Sequence, residues 1–236
     1  FPLAGVLGYP ISQSKSPKLH NYWLSKYRIQ GFYVPFSVPT DKLKKTLSSL
    51  VQLGFKGVNV TIPHKTTILS FVDSITDRAS LIGAANTLYF SGNGKIHADN
   101  TDGHGFIQNI LDTYPDYDFY DKIALIYGAG GSARAIASSL IANGVKEVRI
   151  TNRTRSKAQI ISENLGAKVS VIDWRSAPEN LKQADLIINS TSMGMVGQPE
   201  FSQPISRASK NAIVIDIVYN PEQTELIKNA KSLNLR

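Results

Sequence analysis

The chain has 236 residues, 42% hydrophobic and 19% charged, with 26 Lys and Arg against 18 Asp and Glu for a net charge of +8. That length fits one large domain or two ordinary ones, and so much apolar material excludes a disordered chain. The absence of cysteine excludes a disulfide framework, a thiolate zinc site, an iron–sulfur cluster and a cysteine nucleophile. No apolar run approaches the roughly eighteen residues of a membrane span. A soluble, cytoplasmic protein is expected, and because it begins at Phe1 rather than Met, either its first residues have been removed or the sequence is partial.

The charge is unevenly placed. Residues 1–105 hold 11 basic and 5 acidic side chains with no Glu, net +6, whereas residues 106–236 hold 15 and 13, net +2. Lys42, Lys44 and Lys45 read as the solvated face of a helix. A nucleic-acid groove needs a longer basic stripe interleaved with aromatics. The expected partners are small molecules, with neither nucleic acid nor membrane, in a monomer or homodimer.

In chain order, hydrophobic periodicity predicts a strand at 3–8, a helix at 17–27, a strand at 32–36, a helix at 41–53 and a strand at 57–60. Ser16 reads as an N-cap ahead of Pro17, and Gly54 as the stop of the second helix. Strands at 85–90 and 95–98 flank Ser91-Gly92-Asn93-Gly94, which has hairpin turn chemistry. A helix follows from Asp102 to about Leu111. The polar, aromatic stretch Asp112 to Asp121 reads as the connection between a substrate-binding domain, residues 1–112, and a nucleotide-binding domain, residues 113–236. Beyond it come a strand at 123–127, a helix at 133–142, a strand at 147–151, a helix at 156–165, and strands at 169–172, 186–189 and 212–217. The last two are almost wholly apolar, as parallel strands covered on both faces should be. The expected fold is α/β in two domains, a mixed sheet first and a doubly wound Rossmann domain second.

The strand at 123–127 runs into Gly128-Ala129-Gly130-Gly131-Ser132-Ala133, a G-x-G-x-x-A pattern opening a helix. Gly128 permits a tight turn, Gly130 lets backbone approach a pyrophosphate, Ala133 allows close helix–strand packing, and the helix N-terminus offers amides to phosphate. The next strand ends in Asn152-Arg153-Thr154-Arg155 rather than in Asp or Glu. An acid there would repel a 2′-phosphate, whereas Arg153 and Arg155 pair with one and Asn152 and Thr154 donate to it, so NADP(H) is expected over NAD(H). Lys157 assists at longer range. Thr191, Ser192 and Met193, and Ile217 after the last strand, stand where a dinucleotide crevice should be.

Four segments in order, Gly8-Tyr-Pro-Ile-Ser-Gln-Ser-Lys-Ser-Pro17 with His20-Asn21, Gly57-Val-Asn-Val-Thr-Ile-Pro-His-Lys65, Asp99-Asn-Thr-Asp-Gly-His-Gly105 and Asp216-Ile-Val-Tyr-Asn-Pro221, resemble the shikimate dehydrogenase family. The resemblance implies reversible NADP-dependent reduction of 3-dehydroshikimate to shikimate, in the route to chorismate and the aromatic amino acids. It makes Lys65 the catalytic residue, with Asp102 as its carboxylate partner. An ammonium at a carbonyl oxygen stabilises developing negative charge and then gives up a proton. Ser14 and Ser16 match positions that bind the substrate carboxylate, and Asn59, Thr61, Asn86 and Tyr219 match positions around the hydroxylated ring. Gln13 stands where many members carry His. His20, His64, His97 and His104 fit no metal-ligand spacing, and no metal is expected.

Members of the family continue past the position of Leu235 with a further strand and a helix. A chain missing these is expected to leave an uncovered patch on the first domain and to be weakened or inactive as it stands. Other readings are a quinate/shikimate dehydrogenase of broader specificity and a non-catalytic NADP-binding module, against which Lys65 and Asp102 together argue.

Overall fold

The computed structural model describes residues 1–236 and divides into two compact units, Phe1–Thr101 and Asp102–Arg236. The first runs β1 (Leu3–Gly8), α1 (Ser16–Lys26), β2 (Phe32–Ser37), a 3-10 turn at Thr40–Lys42, α2 (Leu43–Gln52), β3 (Gly57–Val60), a second 3-10 turn at Thr67–Phe71, β4 (Ser74–Ile75), α3 (Asp77–Ile82), β5 (Thr87–Phe90) and β6 (Ile96–Asp99). Its six-stranded sheet has the order β2-β1-β3-β5-β6-β4. β1, β2 and β3 are parallel, and β5 runs antiparallel to both β3 and β6, so the sheet is mixed, as expected.

Period-two alternation sends Leu7, Val58, Val60, Leu88, Phe90 and Ala98 to one face, where Leu43, Leu47 and Leu50, spaced along one stripe of α2, bury against them. Each such leucine contributes roughly 1.5–3 kcal/mol by leaving water. Val6 and Tyr33 lie on the opposite face with Ile11 and Leu24. Trp23, Tyr27, Ile29, Phe32 and Tyr89 stay exposed. They border a cavity of about 380 Å³ that also reaches Tyr33, Asn59 and Thr87.

One local expectation is corrected. Ser16 does not cap α1; Lys15 is the N-cap residue, and no side chain caps that helix end. The Ser14 hydroxyl accepts the Ser16 amide at 3.3 Å, so Ser16 itself becomes the first helical residue. Two capped elements carry weaker sequence signals. Thr76 accepts the Ala79 amide ahead of the short α3, and Thr224 accepts that of Ile227 ahead of a helix at Glu225–Ser232.

The second unit runs α4 (Asp102–Thr113), β7 (Ile123–Tyr127), α5 (Gly131–Ala142), β8 (Glu147–Thr151), α6 (Arg155–Leu165), β9 (Val169–Val171), α7 (Ala177–Asn180), β10 (Leu186–Asn189), β11 (Ile213–Asp216) and α8 (Glu225–Ser232). All five strands are parallel in the order β11-β10-β7-β8-β9. The chain starts in the middle, winds outward to β9, then returns past β7 to β10 and β11, which is the doubly wound path. Alternation along β7 feeds two cores. Ala124 and Ile126 pack with Ile136, Leu140 and Ile161, and Leu125 and Tyr127 with Leu181, Phe201 and Leu226.

The division between the two compact units falls ahead of α4. Phe106, Ile107 and Ile110 bury in the core beneath α5 and α6. Gly103 meets α5 so closely that a Cβ on it would collide with Ser139 Oγ and stand 2.7 Å from the Ala135 carbonyl. This helix therefore belongs to the second unit, and the polar stretch behind it, which resembles a linker in composition, packs Phe119 into the same core. No helix is long and apolar enough to cross a membrane.

Candidate active site

Parallel β1, β3 and β6 end on the same edge of the first sheet, and antiparallel β5 begins there. The backbone ties this edge together. The Thr61 amide donates to the Leu7 carbonyl at 2.9 Å, that of Val60 to Asn86 at 2.7 Å and that of Asn86 to Asp99 at 3.0 Å. The Lys65 carbonyl accepts the Ala85 amide at 2.7 Å, which pins the lysine's main chain one residue from Asn86. Its side chain is half-buried. The preceding His64 is fully buried and its Nε2 donates to the Val38 carbonyl at 2.7 Å, so it anchors the loop that carries Lys65. Ser14, Asn59, Thr61, Lys65 and Asn86 thus arise along one sheet edge.

Asn86 organises the turn out of β6. Its Oδ1 accepts the Thr101 amide at 3.0 Å, and its Nδ2 donates to Thr101 Oγ1 at 3.0 Å. Fully buried Asn100 donates to the Ala84 carbonyl at 2.8 Å. Asp102 follows as the half-buried first residue of α4. The carboxylate of Asp99 pairs with the Arg78 guanidinium and also accepts from Thr76 Oγ1 and the Asn100 amide, each at 2.7 Å. Those bonds, Arg78 first, hold it down at about 2. Sequence reasoning missed this pair, since nothing local to Arg78 signals Asp99.

It also missed Tyr33. The edge strand β2 leaves the Tyr33 amide and carbonyl without a ladder partner on one side, and Asn21 of α1 satisfies both, accepting at 3.0 Å and donating at 2.8 Å. His20 stacks flat on the ring at 4.1 Å. The phenol donates to Asn59 Oδ1 at 2.7 Å. Burial pushes its pKa well above the ordinary tyrosine value, against an opposing hydrogen bond from Ser16.

In the second unit, β7 is followed by Gly128, whose φ of 113° lies in the left-handed region and where a Cβ would stand 2.6 Å from Ser190 Oγ. Gly130 is the N-cap residue of α5, and no side chain caps that end. A Cβ on Gly130 would meet nothing within 4 Å. Ala133 is fully buried against the sheet. The turn therefore offers uncapped helix amides beside open space, the arrangement a pyrophosphate requires. Past β8, Asn152 Nδ2 donates to the Thr154 carbonyl at 2.9 Å, Arg153 is exposed with no ion pair, and Arg155 reaches the Val171 carbonyl at 3.4 Å. No carboxylate stands in this run, so a 2′-phosphate meets positive charge only.

Beside it, the ends of β10 and β11 share a network that the sequence did not reveal. Asn189 Oδ1 accepts from Thr191 Oγ1 at 2.7 Å and from its amide at 3.0 Å, while Nδ2 donates to the Met193 carbonyl and to Asp216. Asp216 accepts in addition from the Val218 amide and Thr224 Oγ1. Burial raises its pKa, opposed by these bonds. The Thr191–Met193 loop is thereby fixed at the topological switch point of the sheet. Ile217 is half-buried, and Tyr219 lies exposed beyond β11.

Comparison with known proteins agrees in both units. Residues 6–88 match the family model "Shikimate dehydrogenase substrate binding domain" and residues 110–235 match "Shikimate / quinate 5-dehydrogenase". The chain is 47% identical over 235 residues to the shikimate dehydrogenase (NADP(+)) of Cereibacter sphaeroides strain ATCC 17025, covering 100% of this chain and 84% of that protein. A solved shikimate dehydrogenase from Aquifex aeolicus superposes with a TM-score of 0.89 at 33% identity, covering 100% of this chain and 85% of that one. A shikimate 5-dehydrogenase from Thermus thermophilus, solved with NADP(H) and shikimate, superposes with a TM-score of 0.87 at 28% identity over 100% and 86% of the two chains.

Proposed function

Because the chain belongs to the shikimate dehydrogenase family, we propose that it reversibly reduces 3-dehydroshikimate to shikimate with NADPH, as a cytoplasmic oxidoreductase acting on a CH–OH group. The observation that supports the reading is that Asn59, Thr61, Lys65 and Asn86 stand at or just beyond neighbouring strand ends on one edge of the first sheet, with Ser14 in the loop that leaves β1 there, in a chain that also holds an uncapped glycine turn at Gly128–Ala133.

The residues present fit NADP(H). Gly128, Ala129, Gly130, Gly131, Ser132 and Ala133 would receive the pyrophosphate, and Asn152, Arg153, Thr154 and Arg155 the 2′-phosphate. Thr191, Ser192, Met193 and Ile217 would line the nicotinamide end. Bound there, the cofactor supplies the hydride. The chain must supply the proton and the orientation. Lys65 Nζ stabilises charge on the carbonyl oxygen as it forms and donates the proton to it, and Asp102 is assigned as its carboxylate partner. Ser14 keeps its own hydroxyl hydrogen for a substrate carboxylate, since its oxygen takes the Ser16 amide. Asn59, Thr61, Asn86 and Tyr219 are assigned to the ring hydroxyls, and Ser16 to the carboxylate end.

The test is NADPH oxidation with 3-dehydroshikimate and, in parallel, 3-dehydroquinate. Turnover of the first is expected, with Lys65→Ala losing about a hundredfold or more in kcat at unchanged NADPH affinity. A protein that binds NADPH and turns over neither substrate would refute the reading. Near-normal kcat in Lys65→Ala would remove that residue from the proton step.

A further inference from the structure

The direction of each hydrogen bond around Tyr33 follows from one atom. The Asn86 carbonyl only accepts, and the Asn59 side-chain amide faces it at 3.3 Å, so the atom there must be Nδ2. Nδ2 also faces Thr87 Oγ1 at 3.3 Å, whose own hydrogen goes to Asn86 Oδ1 at 2.9 Å. Both Nδ2 hydrogens are then committed and Oδ1 points toward Tyr33. The phenol must donate to it. A single chain of donors runs Tyr33 to Asn59 to the Asn86 carbonyl.

From this chain we infer that Tyr33 is a positioning residue of the substrate cradle: by donating to Asn59 Oδ1 it braces the amide in the orientation the Asn86 carbonyl dictates and holds Asn59 as an acceptor for one ring hydroxyl of the substrate. Asn59 has one Oδ1 lone pair left and no hydrogen to give, so it welcomes a hydroxyl and rejects a carboxylate or carbonyl oxygen. Tyr33 is held for this task by Asn21 on its backbone and His20 on its ring, so the phenol enters the network from a fixed position. The inference rests on the reading that Asn59 contacts substrate.

The experiment compares wild type, Tyr33→Phe, Asn59→Ala and the double variant on shikimate and on two analogues, each lacking one of its two non-reacting ring hydroxyls. Wild type should discriminate against one analogue by roughly tenfold or more in kcat/KM. Tyr33→Phe should raise KM for shikimate by about tenfold, keep kcat within about twofold, and lose most of that discrimination. The double variant should be no worse than Asn59→Ala. Because Phe keeps the ring, the fold should persist, and an unchanged NADPH affinity checks this. A general structural loss would instead lower activity on all three substrates alike, and that result overturns the proposal. So does a Tyr33→Phe enzyme with unaltered KM beside an impaired Asn59→Ala. If Asn59→Ala is also unaltered, the substrate contact is refuted and the positioning role with it; a wild type inert toward shikimate refutes the functional reading itself.

Discussion

Asp99 is the residue whose charge state bears most directly on the first unit. Its carboxylate gathers Arg78, Thr76 and the Asn100 amide where β6 turns toward the site. Because its folded pKa is depressed to about 2, it contributes stability that is present above the unfolded value near 4 and is lost as pH falls through the folded value. Thermal unfolding should find Asp99→Asn less stable than wild type near neutrality, with the gap closing between about pH 4 and about pH 2. Arg78 is 54% exposed, so the ion pair itself should account for no more than about 1 kcal/mol. A gap that persists unchanged to low pH would show that hydrogen bonding alone, not charge, holds the turn. Residues at this scale were only partly legible in the sequence. Lys65, Ser14 and the glycine turn announce themselves in short motifs, whereas Tyr33, Arg78 and Asn189 act through partners distant in the chain, and a lone tyrosine in a strand carries no sign of the hydroxyl it will meet.

At the scale of elements, the start of α5 separates two roles that glycine can play. Gly128 is required by its own backbone and by Ser190 beside it, so substitution there strains the fold. Gly130 has an ordinary φ of −91° and open space where a side chain would project. Gly130→Val should therefore fold with a nearly unchanged melting temperature, yet weaken NADPH binding by roughly tenfold or more, read by fluorescence titration. Equal loss of stability and affinity would contradict the assignment of that space to a ligand. All strands but the two-residue β4, and most helices, were predictable from period, since continuous apolar runs and two-residue alternation report burial directly. Short α3, α7 and α8 were not, because four to eight residues give too few turns for a periodic signal. Composition marks the polar stretch after α4 as a connection, whereas what groups α4 with the second compact unit is the close approach at Gly103, visible only once α5 is in place.

On the scale of the molecule, the charge of +8 gains its meaning from position. The excess of +6 in residues 1–105 accompanies a site read as binding a carboxylate, and exposed Arg153 and Arg155 accompany one read as binding a phosphate. Electrostatic capture of small anions is screened by salt. Raising ionic strength from about 0.02 M to about 0.5 M should raise KM for shikimate and for NADPH several-fold while kcat changes little. A KM independent of salt would mean that contacts, not the field, govern capture. The reversed strand β5 has a different consequence. By running against its neighbours, it delivers Asn86 to the working edge and sends the Ser91–Gly94 turn to the opposite rim, with the full length of β5 and β6 between them. That turn closes on itself through Ser91 and Asn93, and it offers a place to graft a label or an affinity peptide that the chemistry at the other rim will not feel.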